Sequence, residues 1–270
     1  MPQLMHLIIQ YCSHRLPARQ AEYDYCVRAN LANPYVEKVH NMVEPGVKVP
    51  EEFRSHPKYI EVPFERWLTY QAALAYTSAN LSDKVVCLAN LDIFLGSAGT
   101  NWKDLDTVLR SPIVLCLSRT EFDGAGGFFV GDDLKGLGSA TTQDAWIFLS
   151  PLSVPDCDFR LGTLGCDNAF ADRIRCAGKI PVNAGSRFKI FHYDRCREKT
   201  KANQESVHAA ERSGTASERP EELGQYLLPD FDEVTSVDDL LTKLNATKLQ
   251  RYMVICDTMN KLIRINNRTT

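Results

Sequence analysis

The 270-residue chain has no apolar run near the roughly 20 residues that a bilayer-crossing helix needs, which argues against a membrane span. It also lacks a basic excess. The 31 Lys and Arg stand against 34 Asp and Glu, a formal net charge of −3, so the footprint of a nucleic-acid binder is missing. No Gly-Lys-Ser/Thr follows a glycine run, and the glycines between Gly124 and Gly138 do not spell Gly-x-Gly-x-x-Gly between a strand and a helix. A Walker loop and a dinucleotide fingerprint are therefore unsupported. Ser13 and His14 share a turn without a nucleophile-elbow motif, which leaves a hydrolase triad without support. Cys157, Cys166, Cys176 and Cys196 are spaced too widely for a zinc module. The nine cysteines are odd in number and have no close pairs, which fits buried thiols in a reducing compartment. Met1 to Cys12 has no basic region before its apolar residues and reads as a first strand rather than a signal peptide. The expected location is cytoplasmic, where the sequons at Asn80, Asn245 and Asn267 have no consequence.

What is present is ordinary globular material, 44% hydrophobic and 24% charged, enough for one substantial domain with an appendage or for two small domains. Short apolar strands are expected at Leu4 to Tyr11, Tyr35 to Val43, Tyr59 to Val62, Val85 onward, Ile113 to Leu117, Ala145 to Leu149 and Phe188 to His192. Helical patterns lie between them at Ala18 to Leu31, Arg66 to Leu81, Trp102 to Leu109 and Asp167 to Gly178. Such alternation predicts an α/β domain over 1–196 with a mostly parallel sheet. The glycine-rich stretch from Phe122 to Thr142 is long for a connection and reads as a lid. Residues 197–222 turn charged and small, a linker or solvated helix. Residues 223–270 have the pattern of a small appendage with a helix (Val237 to Leu244) and a hairpin (Met253 to Cys256 with Leu262 to Ile265).

Candidate chemistry concentrates at Val85-Val86-Cys87-Leu88-Ala89-Asn90-Leu91-Asp92. An apolar, β-branched run is the pattern of a strand covered on both faces. Asn90 and Asp92 follow two residues apart, on one side of an extended backbone, where open α/β sheets bind ligands. Oxygen side chains there suit a hard divalent cation beside a phosphate. The alternative is a turn, which such residues often begin. Further acids stand near strand or helix ends at Asp144, Asp158 and Asp167, where a helix cap or a surface acid is the plainer role of each.

Ala89-Asn90-Leu91-Asp92-Ile93, Leu117-Ser118-Arg119, Gln143-Asp144-Ala145-Trp146-Ile147-Phe148, Asp158-Phe159-Arg160-Leu161-Gly162, Gly165-Cys166-Asp167-Asn168 and Ile190-Phe191-His192 follow one another in a familiar order. Over roughly Leu4 to Tyr193 the chain resembles GT-A-fold glycosyltransferases, in particular the first domain of the chlorovirus multidomain glycosyltransferase. The resemblance implies a GT-A-like mixed, mostly parallel sheet flanked by helices. It also implies a nucleotide-diphosphate sugar as donor, a UDP-sugar by preference, with Mn2+ or Mg2+ and a glycan or other hydroxyl acceptor.

It makes Asp92 the metal ligand, with Asn90 in the first acidic place of the Asp-x-Asp motif, and His192 a late metal or diphosphate ligand. Ser13, His14 and Arg15, after the first strand, become nucleotide contacts. Arg119, at the end of its strand, becomes a phosphate or carboxylate partner. Asp167 is then the base of an inverting transfer, and Asp144 its competitor or a donor-sugar ligand. Two other readings stand beside this one. The first is a degenerate GT-A-like module for carbohydrate binding or scaffolding, motivated by Asn90 and the unmatched tail. The second is a nucleotidyltransferase, which lacks a basic triphosphate loop.

Overall fold

The computed structural model describes residues 4–196 apart from 99, 101, 110–111, 132–141 and 164. The linker and appendage expected beyond 196, and the centre of the expected lid, lie outside the described residues.

The strands are β1 (Met5–Tyr11), β2 (Val36–Val43), β3 (Tyr59–Pro63), β4 (Val85–Ala89), β5 (Ile93–Leu95), β6 (Ile113–Phe122), β7 (Phe128–Phe129), β8 (Gln143–Leu149), β9 (Ile180–Val182) and β10 (Ile190–His192). The helices are α1 (Pro17–Ala32), α2 (Glu51–Arg54), α3 (Tyr70–Asn80), α4 (Leu105–Leu109) and α5 (Cys166–Cys176). The sheet runs β3-β2-β1-β4-β8-β6-β10-β5, with β7 and β9 also paired to β6. β1, β2, β3, β4, β6, β9 and β10 point one way, and β5, β7 and β8 point the other. This is the mixed, mostly parallel, helix-flanked sheet that was expected.

Strand parity explains why the sheet is buried on both sides. Met5, Leu7 and Ile9 of β1, Val85, Cys87 and Ala89 of β4, and Leu115 and Leu117 of β6 join one apolar cluster with Val27 and Leu31 of α1. Their alternates Ile8, Val86, Leu88, Val114 and Cys116 join the other, with Leu74 of α3 and Phe170 and Ile174 of α5. Tyr70, Trp146 and Phe170 knit that second layer, with Tyr70 stacked on Phe170 at 4.2 Å and edge-on to Trp146 at 4.9 Å. Offset aromatic pairs of this kind add about 0.5–1.5 kcal/mol beyond area burial.

Three expectations about boundaries change. Helix α3 starts at Tyr70 rather than Arg66, because Thr69 caps it and accepts a hydrogen bond from the Ala72 N–H. Strand β6 runs on to Phe122, because β10 and β7 continue its pairing past Leu117. Arg119 therefore lies inside that strand rather than at its end. The last strand starts at Ile190 rather than Phe188.

One reversal decides where the site lies. Since β8 is antiparallel to both β4 and β6, its first residues meet the carboxyl end of β4 and the middle of β6. Gln143 and Asp144 thus arrive beside Asn90 and Ser118.

Candidate metal centre

Beyond β4 the chain turns sharply, with the Ile93 N–H donating to the Asn90 carbonyl at 3.2 Å. Strand β10 returns alongside, and the Tyr193 N–H donates to the Asp92 carbonyl at 2.9 Å. This brings one ligand atom each of Asp92, His192 and Asp194 within 4.8 Å of one another. His192 Nε2 faces Asp92 Oδ2 at 3.3 Å and Asp194 Oδ2 at 3.7 Å. Its other nitrogen, Nδ1, lies 2.8 Å from Glu121 Oε2. Carboxylates commonly fix metal-binding imidazoles in this way.

Burial disfavours a charged His192, but Asp92 and Glu121 outweigh it and raise the pKa to about 10. For Glu121 itself burial acts upward, yet the bonds from His192 and Arg119 hold its pKa below the usual value.

Two further groups extend the cluster. Arg19, in the first turn of α1, donates through Nη2 to Asp92 Oδ2 at 2.5 Å and through Nη1 to Glu22 Oε2 at 2.7 Å. Arg119 donates through Nε to Glu121 at 2.7 Å and through Nη1 to Asp144 Oδ2 at 2.8 Å. Asn90 Nδ2 donates to the other oxygen of Asp144 at 2.8 Å. Glu22, Asp92, Glu121, Asp144 and Asp194 thus surround Arg19, Arg119 and one imidazole, five acids against three cations. The surplus is negative even with the imidazole protonated. Two carboxylates and an imidazole, oriented by a third carboxylate, suit a divalent ion such as Mn2+.

Asp167 stands next to this cluster, in the first turn of α5. Gly165, left-handed at φ 84°, starts that helix abruptly, a conformation that glycine takes without strain. Asp167 Oδ2 accepts the Gln143 N–H at 3.1 Å. Burial, and then the charge of Asp144, raise its pKa to about 7 despite the helix terminus.

The sequence-derived residues divide into groups. Asp92 and His192 meet directly. Arg119, Asp144, Asn90 and Asp167 adjoin them, with Asn90 bonded to Asp144 rather than included in the ligand trio. Ser13, His14 and Arg15 form the turn after β1 at the same end of the sheet. Ser13 and Arg15 are exposed there, and His14 Nδ1 accepts the Leu16 N–H at 3.1 Å. Asp158 lies apart from the cluster and accepts from Thr69 Oγ1 at 2.7 Å.

Sequence reasoning missed Arg19, Glu22, Glu121 and Asp194. The spacing that singled out Asn90 and Asp92 also links Arg119 to Glu121 and His192 to Asp194, so a signal for the two acids was there. A depression of about 320 Å³ at the opposite end of β6 and β8 is lined by Leu109, Pro112, Phe148 and Pro151, and has no part in this cluster. Among the described residues, no helix is long and apolar enough to cross a membrane.

No family model matches the chain, and no curated protein does. Among solved structures it is similar to S. aureus TarS 1-349 in complex with UDP-GlcNAc, with TM-score 0.46 and 10% identity over 73% of this chain and 60% of that one. It is also similar to the mannosyltransferase PcManGT from Pyrobaculum calidifontis in complex with GDP-Man and Mn2+, with TM-score 0.47 and 11% identity over 72% of this chain and 57% of that one. The chain thus spans less than two thirds of either protein's length.

Proposed function

We propose that this chain is a metal-dependent glycosyltransferase that moves a sugar from a nucleotide-diphosphate donor to an acceptor hydroxyl with inversion. UDP-sugars are the favoured donors. The observation that carries the reading is the convergence of Asp92, His192 and Asp194 at the carboxyl ends of β4 and β10, in a surplus of negative charge. These three residues would hold Mn2+ or Mg2+, whose charge would stabilise the departing diphosphate.

The other residues then have distinct tasks. Ser13, His14 and Arg15 flank the nucleotide. Asn90 and Arg119 fix Asp144 from two sides, so that its carboxylate can orient the hydroxyls of the donor sugar. Asp167 takes the proton of the acceptor hydroxyl. The acceptor oxygen forms the new bond to the anomeric carbon, and the bond to the diphosphate oxygen breaks with its electron pair. A carboxyl with a pKa of about 7 is matched to that role near neutral pH.

Calorimetry with UDP and GDP, each with manganese, tests the donor site. The wild type should bind nucleotide in a metal-dependent manner, and Asp92→Ala should lose that dependence. If neither nucleotide binds with any metal, the proposal fails. The second reading, a non-catalytic carbohydrate-binding or scaffolding module, is favoured by one feature, the pairing of Arg19 with Asp92. Transfer of sugar to any acceptor excludes it.

A further inference from the structure

Arg19 is nearly inaccessible, with only 4% of its side chain exposed, and both terminal nitrogens of its guanidinium are anchored. Nη2 reaches Asp92 Oδ2 at 2.5 Å, and Nη1 reaches Asp194 Oδ1 at 3.1 Å, Glu22 Oε2 at 2.7 Å and the Tyr193 carbonyl at 2.8 Å. Glu22 is fixed from its other oxygen, which accepts the N–H groups of Arg195 and Cys196 at 2.8 and 3.0 Å. The guanidinium is therefore a built part of the cluster and not a surface side chain that happens to fall there.

The contested atom is Asp92 Oδ2. It accepts from Arg19 and is also the oxygen that faces His192 Nε2 at 3.3 Å. A divalent ion seated between those two atoms has to share that oxygen with the guanidinium and lie against its positive charge. In a site this secluded, salt screens the repulsion little. Without Arg19, however, Glu22, Asp92 and Asp194 would be buried together with too little positive charge.

We infer that Arg19 is a tethered rival of the metal. It keeps Asp92 and Asp194 paired while no ion is bound, and it holds the affinity for the free ion low. A diphosphate brings negative charge of its own and offsets the repulsion, so metal is taken up together with the nucleotide and not before it. This inference rests on the metal-centre reading proposed above.

The test compares wild type, Arg19→Met and Arg19→Lys in calorimetric titrations with manganese chloride alone and with manganese plus UDP. Thermal unfolding with and without manganese runs in parallel. The methionine variant should bind manganese alone at least about tenfold more tightly than the wild type, a difference of one decade in Kd. Manganese should also raise its melting temperature more than that of the wild type. In the wild type, UDP should strengthen manganese binding, and that gain should shrink in the variant.

If the methionine variant folds only with manganese, that supports the inference. If it does not fold at all, the lysine variant decides. Lysine keeps the charge but carries it on a single nitrogen that cannot span Asp92 and Glu22 as the two guanidinium nitrogens do, so manganese binding should still tighten, by less than in the methionine variant. Equal or weaker manganese binding in the folded variants overturns the role given to Arg19 and leaves the metal centre standing. Absence of manganese binding in all three proteins, with and without UDP, overturns the metal centre itself.

Discussion

Replacing Asp167 by Asn removes a carboxyl whose folded surroundings oppose its charge, while an amide oxygen of the same shape remains to accept the Gln143 N–H. Burial and Asp144 move the pKa from 3.8 to about 7. A gap of roughly three units, at about 1.4 kcal/mol each, bounds the effect at about 4 kcal/mol. Asp167 keeps some contact with solvent, so about 2 kcal/mol is the working magnitude.

The sign follows from proton counting. The unfolded chain gives up this proton near pH 3.8 and the folded chain near pH 7, so between those values the folded state binds the extra proton. Stability is therefore fully present at the acid end of the window and is lost as pH rises through it. The variant has no such titration. Urea melts at about pH 5 and about pH 8 should show Asp167→Asn gaining on the wild type as pH rises. Parallel curves, or a gap that opens toward acid, would refute the buried, charge-opposed carboxyl. In the same variant, nucleotide binding should persist and transfer should fall by about 10²–10⁴-fold, the usual contribution of a positioned base. Unchanged turnover would assign the proton to Asp144 instead.

Two further substitutions probe what surrounds the site and what lies away from it. Glu121→Gln keeps the shape beside His192 Nδ1 but removes the charge that orients the ring, so manganese affinity should fall by about 10–100-fold in calorimetry. Unchanged affinity would confine Glu121 to holding Arg119. His40 lies buried between His6 at 2.9 Å and the Tyr76 hydroxyl at 2.8 Å, and burial followed by His6 depresses its pKa to about 4. The unfolded chain takes up this proton below its ordinary 6.5, so stability is lost as pH falls from there toward 4, by up to about 3 kcal/mol. His40→Gln should flatten that acid limb in urea melts at about pH 7 and about pH 4.5, and an unaltered acid loss would refute the assignment.

The layers of this fold were legible because β-strand parity is written in the residues. The uninterrupted apolar run at Val85 to Ala89 has no polar face, and the protein covers both of its sides with helices. The start of α3 was not legible. Trp67, Leu68 and Thr69 continue a helical pattern, but Trp67 Nε1 donates to the Leu161 carbonyl and the Leu68 N–H donates to Gln10 Oε1, contacts made by distant chain. Strands β5, β7 and β9 are two or three residues long and owe their existence to neighbours in the sheet rather than to local preference. Arg19 and Glu22 escaped notice for a related reason. Two opposite charges at i and i+3 near the start of a helix read as a solvated pair, and only the return of the chain at Tyr193 and Asp194 buries them.

Asn90 and Asp92 share the spacing that first marks this stretch, yet the fold gives them different partners. Asn90 joins Asp144, and through it Arg119 and the neighbourhood of Asp167. Asp92 joins His192 and Arg19. The sharp turn after β4 separates the two residues, and Arg119 reconnects their territories by holding Asp144 with one nitrogen and Glu121 with another. Glu121 in turn holds His192. An unbroken line of contacts therefore runs from Asp144, beside the proposed base, to Asp92 in the proposed metal centre. A change of charge at either end falls on Arg119, whose bonds to Glu121 and Asp144 leave it little freedom to follow one partner without loosening the other. A neutral Asn at position 90 fits this arrangement better than a second acid would. It can donate to Asp144, whereas a carboxylate there would face another carboxylate and weaken the hold on the line.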